Sequence, residues 1–149
     1  TRSYSVTGVQ TCARPIYALF FPGGFGVAKN LCTYAFEGPA CQVDRVVEEA
    51  IRSTHSAGKP IGALCISPVL IARVLGDVTV TIGNDRDTAA DVVRLGGLHE
   101  DRNHGEVSVD TKNLIVTAPC YMLNATITDI ARDAEAVVHA LMELAGEKP

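Results

Sequence analysis

Ile61-Gly-Ala-Leu-Cys-Ile-Ser-Pro68 is the stretch whose reading decides the fold. Four apolar residues lead into a single cysteine, and Ser-Pro follows with more apolar residues behind it. Residues 61–64 read as a short buried strand. Ser67 is a good N-cap and Pro68 suits the first position of a helix. Cys65 therefore falls where a strand breaks sharply into a helix, the nucleophile-elbow arrangement with sulfur in place of oxygen. A thiol placed there faces the positive end of a helix and nearby backbone N–H groups, which favours the thiolate. The competing reading is a packed structural cysteine, since free cysteine is among the most buried residue types.

Upstream, Tyr17-Ala-Leu-Phe-Phe21 is a short apolar run that ends at Pro22-Gly-Gly24, which predicts a buried strand followed by a tight turn. Gly23 and Gly24 allow close approach of another backbone or a ligand. A dinucleotide fingerprint fails here, because Lys29 stands where the third glycine belongs in Gly24-Phe-Gly26-Val-Ala-Lys29. A small anion-binding turn beside the elbow is the better reading. Residues 31–42 read as a loop or broken helix, punctuated by Gly38-Pro39. From Val43 the period becomes helical, with Val43, Val46, Val47, Ala50, Ile51 and Thr54 on one face and Asp44 as the cap. Gly58 and Pro60 end that helix, and the elbow helix then runs from Pro68 to about Val74.

Downstream, Val78-Thr-Val-Thr-Ile82 alternates and is rich in β-branched residues, which predicts a strand. Thr88 to Leu95 reads as a short helix with Ala89, Val92 and Val93 inward. Residues 98–105 are polar and carry His99 and His104. Glu106–Asp110 and Asn113–Thr117 read as two strands joined by a tight turn. The last helix spans about Thr126 to Ala145, with Ile127, Ile130, Ala131, Ala134, Val137, Val138, Leu141 and Met142 inward. Strands alternating with helices predict an α/β fold with a mostly parallel sheet. Ligands in such sheets bind beyond the carboxyl ends of the strands. Pro22-Gly-Gly24 and Cys65 both lie at such ends, so the Gly24 and Ile66 N–H groups are candidates for an oxyanion site.

Composition narrows the function. The 149 residues are 47% hydrophobic and 20% charged, with a net charge of -4. That suits a sheet buried on both faces. The acidic balance, the lack of a basic cluster and the few aromatics argue against a nucleic-acid partner. No apolar run approaches the ~18 residues of a transmembrane helix, so no membrane partner is expected. The five cysteines, at 12, 32, 41, 65 and 120, are irregularly spaced with no C-x-x-C pair, so no metal site is predicted. Reduced thiols without a secretory signal read as a cytoplasmic protein.

Taken in order, Pro22-Gly-Gly-Phe-Gly26, Ala28-Lys-Asn30, Ala57-Gly-Lys-Pro-Ile-Gly62, Cys65-Ile-Ser-Pro68, Val80-Thr-Ile-Gly83 and Pro119 to Leu123 resemble the class I glutamine amidotransferase-like (ThiJ/PfpI) superfamily. Within it they are most similar to the ElbB-type glyoxalases. The resemblance implies a flavodoxin-like three-layer α/β/α sandwich. It implies Cys65 as the catalytic nucleophile, with Gly23, Gly24, Ile66 and Asn30 around the oxyanion and substrate. It implies conversion of glyoxal to glycolate with no cofactor or metal, a small dicarbonyl as the substrate, and a homodimer. His99 and Cys120 are peripheral candidates, Cys120 as a resolving thiol. Ile66 follows the nucleophile where the PfpI proteases have histidine, which argues against peptidase chemistry. His104-Gly-Glu106 has the amidotransferase His-x-Glu form but reads as a solvated loop. The superfamily partners its thiolate with an acidic residue near the first strand and helix, a region that would precede Tyr17. Residues 17–149 are therefore expected to be the C-terminal two-thirds of one domain, with an incomplete sheet and impaired activity. Val6 to Ile16 resembles a translated sequencing adapter apart from Arg14, so residues 1–16 are expected to be a non-native leader. A thiol-based oxidative or carbonyl stress sensor and a non-catalytic binding domain are the alternatives to the glyoxalase.

Overall fold

The computed structural model describes residues 16–146. The expected leader over residues 1–16, Cys12 included, thus lies outside the described residues apart from Ile16.

Three of the four strands of the main sheet are parallel. β1 (Leu19–Phe21) pairs with β2 (Ile61–Leu64), and β2 pairs with the strand Ile115–Ala118 in the register Ile61 to Ile115. The hairpin partner Ser108–Asp110 runs antiparallel on the outer edge. All four residues of β2 are buried, as a strand covered on both faces must be. The period of two sorts its side chains. Ile61, Ala63 and Ile115 pack with α2 (Arg45–Ser56), α3 (Pro68–Leu75) and α4 (Arg86–Arg94) on one face. Leu64, Val116 and Ala118 pack on the other face against α5 (Ile127–Leu144). A short helical turn, α1 (Tyr34–Glu37), precedes α2. The fold is therefore α/β, with a mostly parallel sheet between helices.

Gly62 shows how closely α5 sits. A Cβ there would stand 2.6 Å from Leu141 Cδ1 and 2.7 Å from Phe20 Cδ2. α5 begins with a full capping box, in which Thr126 and Asp129 satisfy each other's backbone N–H. Asp44 caps α2 through the Val46 and Val47 N–H groups.

Several sequence expectations need correction. The strand expected over 78–82 shrinks to β3 (Thr79–Val80), paired in parallel with β4 (Leu98–His99). Side chains replace the missing ladder. The Thr79 N–H donates to Asp110 Oδ2 at 2.8 Å, the Thr81 N–H to Thr117 Oγ1 at 2.8 Å, and the Ile82 N–H to His99 Nε2 at 3.2 Å. The hairpin strands are β5 (Ser108–Asp110) at the edge and β6 (Ile115–Ala118) inside the sheet. Val46, Val93, Ile127 and Val138 face solvent rather than the core, because each lies off the stripe its helix presents to the sheet. Ser67 occupies the N-cap position of α3 but makes no cap bond. Its own backbone is already helical, and its buried Oγ has no partner among the described residues.

Candidate active site

Cys65 lies just past β2 in a left-handed backbone conformation, with φ of 61°. Such a φ is uncommon for a residue with a Cβ and is held only where the surroundings demand it. Its N–H donates to Ala118 O at the end of β6 (3.1 Å), and the Ser67 N–H closes the turn on Leu64 O (3.0 Å). α3 then starts at Pro68. The strand–cysteine–helix elbow read from the sequence is thus formed.

The Pro22-Gly-Gly24 turn meets the elbow directly. A Cβ on Gly23 would lie 2.8 Å from Leu64 O and 2.9 Å from Cys65 Cβ, and Gly23 has φ of 94°. Only glycine satisfies both conditions. Gly24 (φ 96°) and Ile66 line one cavity with Cys65. Neither the Gly24 nor the Ile66 N–H has an acceptor among the described residues, so both are free donors beside the sulfur.

That cavity has a volume of about 500 Å³ and opens beyond the carboxyl ends of β1, β2 and β6. Phe25, Ala28 and Tyr34 form one wall, and Cys120, Tyr121, Met122 and Ile130 the opposite one. Tyr34 turns its hydroxyl away, donating to Asp91 on α4 at 2.9 Å. Burial and that carboxylate push the Tyr34 phenol well up from its ordinary value. At the rim, the Lys29 ammonium lies 5.6 Å from the centre of the Phe25 ring and 5.8 Å from that of Phe36.

The remaining sequence candidates separate. Cys120 shares the cavity with Cys65, but burial, the Asp133 carboxylate and Cys65 push its thiol up to about 12. It therefore stays protonated, which disfavours attack as a resolving thiolate. Asn30 is exposed on the π-helical turn Val27–Leu31, with its amide near Gly26, and does not line the cavity. His99 is away from the cavity as well. Its Nε2 accepts from the Ile82 N–H, and burial lowers its pKa against the pull of Asp101 and Glu100. It is a neutral structural histidine. Among the described residues no cluster of three His, Cys, Asp or Glu side chains is placed to hold a metal. No described helix is long and apolar enough to cross a membrane.

The sequence reading missed Asp133 and misjudged His104. Asp133 is fully buried on α5 and takes three bonds: from His104 Nδ1 at 2.8 Å, from the Cys120 N–H at 2.9 Å, and from the Gly105 N–H. His104 Nε2 reaches Asn124 O at 3.1 Å, so both ring nitrogens face acceptors. That favours the imidazolium. The Asp133 hydrogen bond chiefly raises the His104 pKa, against some desolvation, with Asn124 and Asp129 adding to it. His104 is thus tied down rather than solvated, while Glu106 of the same motif is exposed and binds Asn103. Asp133, Val137 and Leu141 are spaced i, i+4, i+8. An acid inside the apolar stripe of a helix was the available signal.

The cysteine elbow lies at the carboxyl edge of a mostly parallel sheet with a glycine turn pressed against it, in a fold that matches an amidotransferase-like domain. The homologues of this chain are glutamine amidotransferase-like class 1 domain proteins. It is 41% identical over 139 residues to the human "Glutamine amidotransferase-like class 1 domain-containing protein 3, mitochondrial", a match over 87% of this chain and 52% of that protein. It is 40% identical over 139 residues to the rat "ES1 protein homolog, mitochondrial", with the same coverage of 87% and 52%. The chain thus spans about half the length of these curated relatives. No protein-family model matches it. Among solved structures it superposes on an isoprenoid biosynthesis protein with an amidotransferase-like domain from Ehrlichia chaffeensis with a TM-score of 0.76 and 28% identity, over 86% of this chain and 59% of that one. Drosophila melanogaster DJ-1beta shares the fold at a TM-score of 0.59 and 20% identity, over 93% of this chain and 62% of that one.

The relatives' names correct one expectation. They are mitochondrial proteins, which overturns the cytoplasmic reading. Free thiols report the redox poise of a compartment and do not say which reducing compartment it is.

Proposed function

We propose that the protein is a cofactor-independent glyoxalase of the ElbB type that uses Cys65 as its nucleophile. The observation that carries this is the strained elbow of Cys65 with the free Gly24 and Ile66 N–H groups beside it. The Cys65 thiolate adds to one aldehyde carbon of glyoxal, and the resulting alkoxide takes up a proton to give a hemithioacetal. A proton leaves that carbon and another arrives on the neighbouring carbon through an enediolate, which yields a thioester. Water cleaves the thioester, releasing glycolate and a proton and restoring Cys65. The net change is glyoxal plus water to glycolate plus a proton, with no external oxidant or reductant.

The Gly24 and Ile66 N–H groups stabilise the oxyanions of both stages. One such donor is worth about 2.7–4 kcal/mol in other enzymes. The wall of the cavity carries no carboxylate or imidazole among the described residues. The carbon-to-carbon proton transfer therefore falls to water or to a group outside them; the superfamily resemblance assigns it to an acid near the first strand.

That same bare wall supports a second reading, a carbonyl-sensing or scavenging thiol that forms the hemithioacetal and stops there. The deciding experiment is glyoxal turnover to glycolate by the whole protein, wild type against Cys65→Ser. Saturable turnover lost in the variant supports the glyoxalase. Equal rates refute it. Reversible adduct formation on Cys65 without glycolate establishes the sensor instead. A small dicarbonyl as the partner molecule and a homodimer belong to the same proposal.

A further inference from the structure

The cavity is mismatched to glyoxal in size and polarity. At about 500 Å³ it has room for some sixteen waters at ~30 Å³ each. Glyoxal has two carbons and two oxygens and would leave most of that space empty. Volumes of this order usually serve ligands of drug-like size. The polarity points the same way. Around Cys65 the cavity is lined mainly by apolar side chains, among them Phe25, Ala28, Leu64, Ile66, Met122 and Ile130. Two of its polar groups are committed elsewhere, the Tyr34 hydroxyl to Asp91 and the Cys120 N–H to Asp133, and the one other hydroxyl of the lining, that of Tyr121, belongs to an exposed residue. The Cys120 thiol is protonated and buried. The free backbone donors are thus at the elbow, on Gly24 and Ile66, and the rest of the space rewards hydrocarbon.

From this we infer that the site takes a 2-oxoaldehyde whose second carbonyl carries an apolar body, aryl or branched alkyl, in place of the hydrogen of glyoxal. This deepens the glyoxalase reading and rests on it. The reacting atoms are unchanged. Cys65 adds to the aldehyde carbon, the proton moves from that carbon to its neighbour, and water releases an α-hydroxy acid that carries the apolar group. The body lies along the Phe25–Ile130 span, and the elbow holds the oxyanion. Each buried methylene multiplies transition-state binding about fourfold, and burial of a whole aromatic ring about ten- to hundredfold.

The test compares phenylglyoxal with glyoxal on the whole protein, reading the initial rate of mandelate or glycolate formation. The expected result is a kcat/KM for phenylglyoxal about ten- to hundredfold above that for glyoxal, lost in Cys65→Ser. Ala35→Trp, at an exposed position on the wall, fills the cavity and is expected to bring the ratio of the two toward one. Met122→Trp fills it from the opposite wall and serves if the first variant misfolds. Glyoxal turned over through Cys65 with phenylglyoxal no better overturns this inference and leaves the glyoxalase reading intact. Turnover of neither overturns both. A phenylglyoxal preference that survives both tryptophans overturns the assignment to this cavity.

Discussion

Removing the Asp133 carboxylate is the sharpest perturbation the structure offers. Asp133→Ala strips the acceptor from three donors at once: the His104 ring, the buried Cys120 N–H and the Gly105 N–H. A hydrogen bond to a charged group is worth about 1.5–3 kcal/mol, and a buried donor left bare costs about 1–3 kcal/mol. These losses share one acceptor and do not add. Breaking a buried ion pair from one side costs about 3–5 kcal/mol, and that is the expected destabilisation. For a chain of this size it lowers Tm by about 10–20 °C. His104→Ala is milder, because Asp133 keeps its two backbone donors. The assay is urea or thermal unfolding of wild type, both single variants and the double variant across pH. The coupling has a definite sign. The folded His104 pKa is raised above its ordinary 6.5, so the stability it contributes is full below that value and is lost as pH rises through the folded pKa. The groups facing His104 are Asp133 and Asp129 on α5 and the Asn124 carbonyl. A loss of under about 1 kcal/mol in Asp133→Ala would refute the network, given the cost of a single bare buried donor. So would a coupling that grows with pH.

Three further outcomes follow from the same packing. Gly23→Ala forces a Cβ to 2.8 Å from the Leu64 carbonyl at a φ of 94°, and is expected to cost about 2 kcal/mol or more and to disorder the elbow, read by unfolding and by the rate of Cys65 alkylation. His99→Gln tests the opposite pH sign: burial depresses the folded His99 pKa, so its penalty grows as pH falls below 6.5, and wild type should lose stability there faster than a glutamine able to accept the Ile82 N–H. In Asp110, burial raises the carboxyl pKa, but hydrogen bonds from the Asn113 side chain and the Thr79 and Asn113 backbone outweigh it and leave the pKa lowered. Stability from Asp110 is therefore present above the ordinary 3.8 and lost on acidification through the folded pKa, and Asp110→Ala should flatten the acid limb and release β3, read by amide exchange at Thr79.

The centre of the fold was legible because its signals are local. A buried strand, one cysteine and Ser-Pro specify β2, the elbow and α3 within eight residues. Gly23 and Cys65 meet because parallel strands carry them to the same edge, which follows from the strand–helix alternation. The hidden part was the polar scaffolding. Thr81 and Ile82 leave the ladder because Thr117 and His99, 36 and 17 residues away in sequence, intercept their N–H groups. No local period encodes such a pairing. His104 looked solvated because its partner lies 29 residues on, inside a helix whose apolar stripe drew attention away from the one acid within it. Asn30 stands outside the cavity for the converse reason: proximity in sequence to a glycine turn says little about which side of that turn a residue faces.

Asp133 also reaches the elbow, through backbone. Cys65 and Cys120 both hold positive φ, at 61° and 45°. For residues with a Cβ such a conformation costs about 1–2 kcal/mol each. Each is pinned by its own N–H. Cys120 binds Asp133, and Cys65 binds Ala118, two residues before Cys120 on the same strand end. Loosening Cys120 therefore loosens the acceptor that sets the Cys65 turn. Asp133→Asn keeps the side-chain shape but presents an amide donor to at least one of three existing donors, so the strand end should shift and the rate of Cys65 alkylation should change severalfold. Gly62→Ala is the control. It overpacks the sheet against Leu141 and Phe20, at a cost of about 1–3 kcal/mol, without touching either pinning bond. If the two variants destabilise comparably and only Asp133→Asn alters alkylation, the connection runs through β6. If both alter it equally, the elbow responds to global stability alone and the proposed path from α5 to Cys65 is wrong.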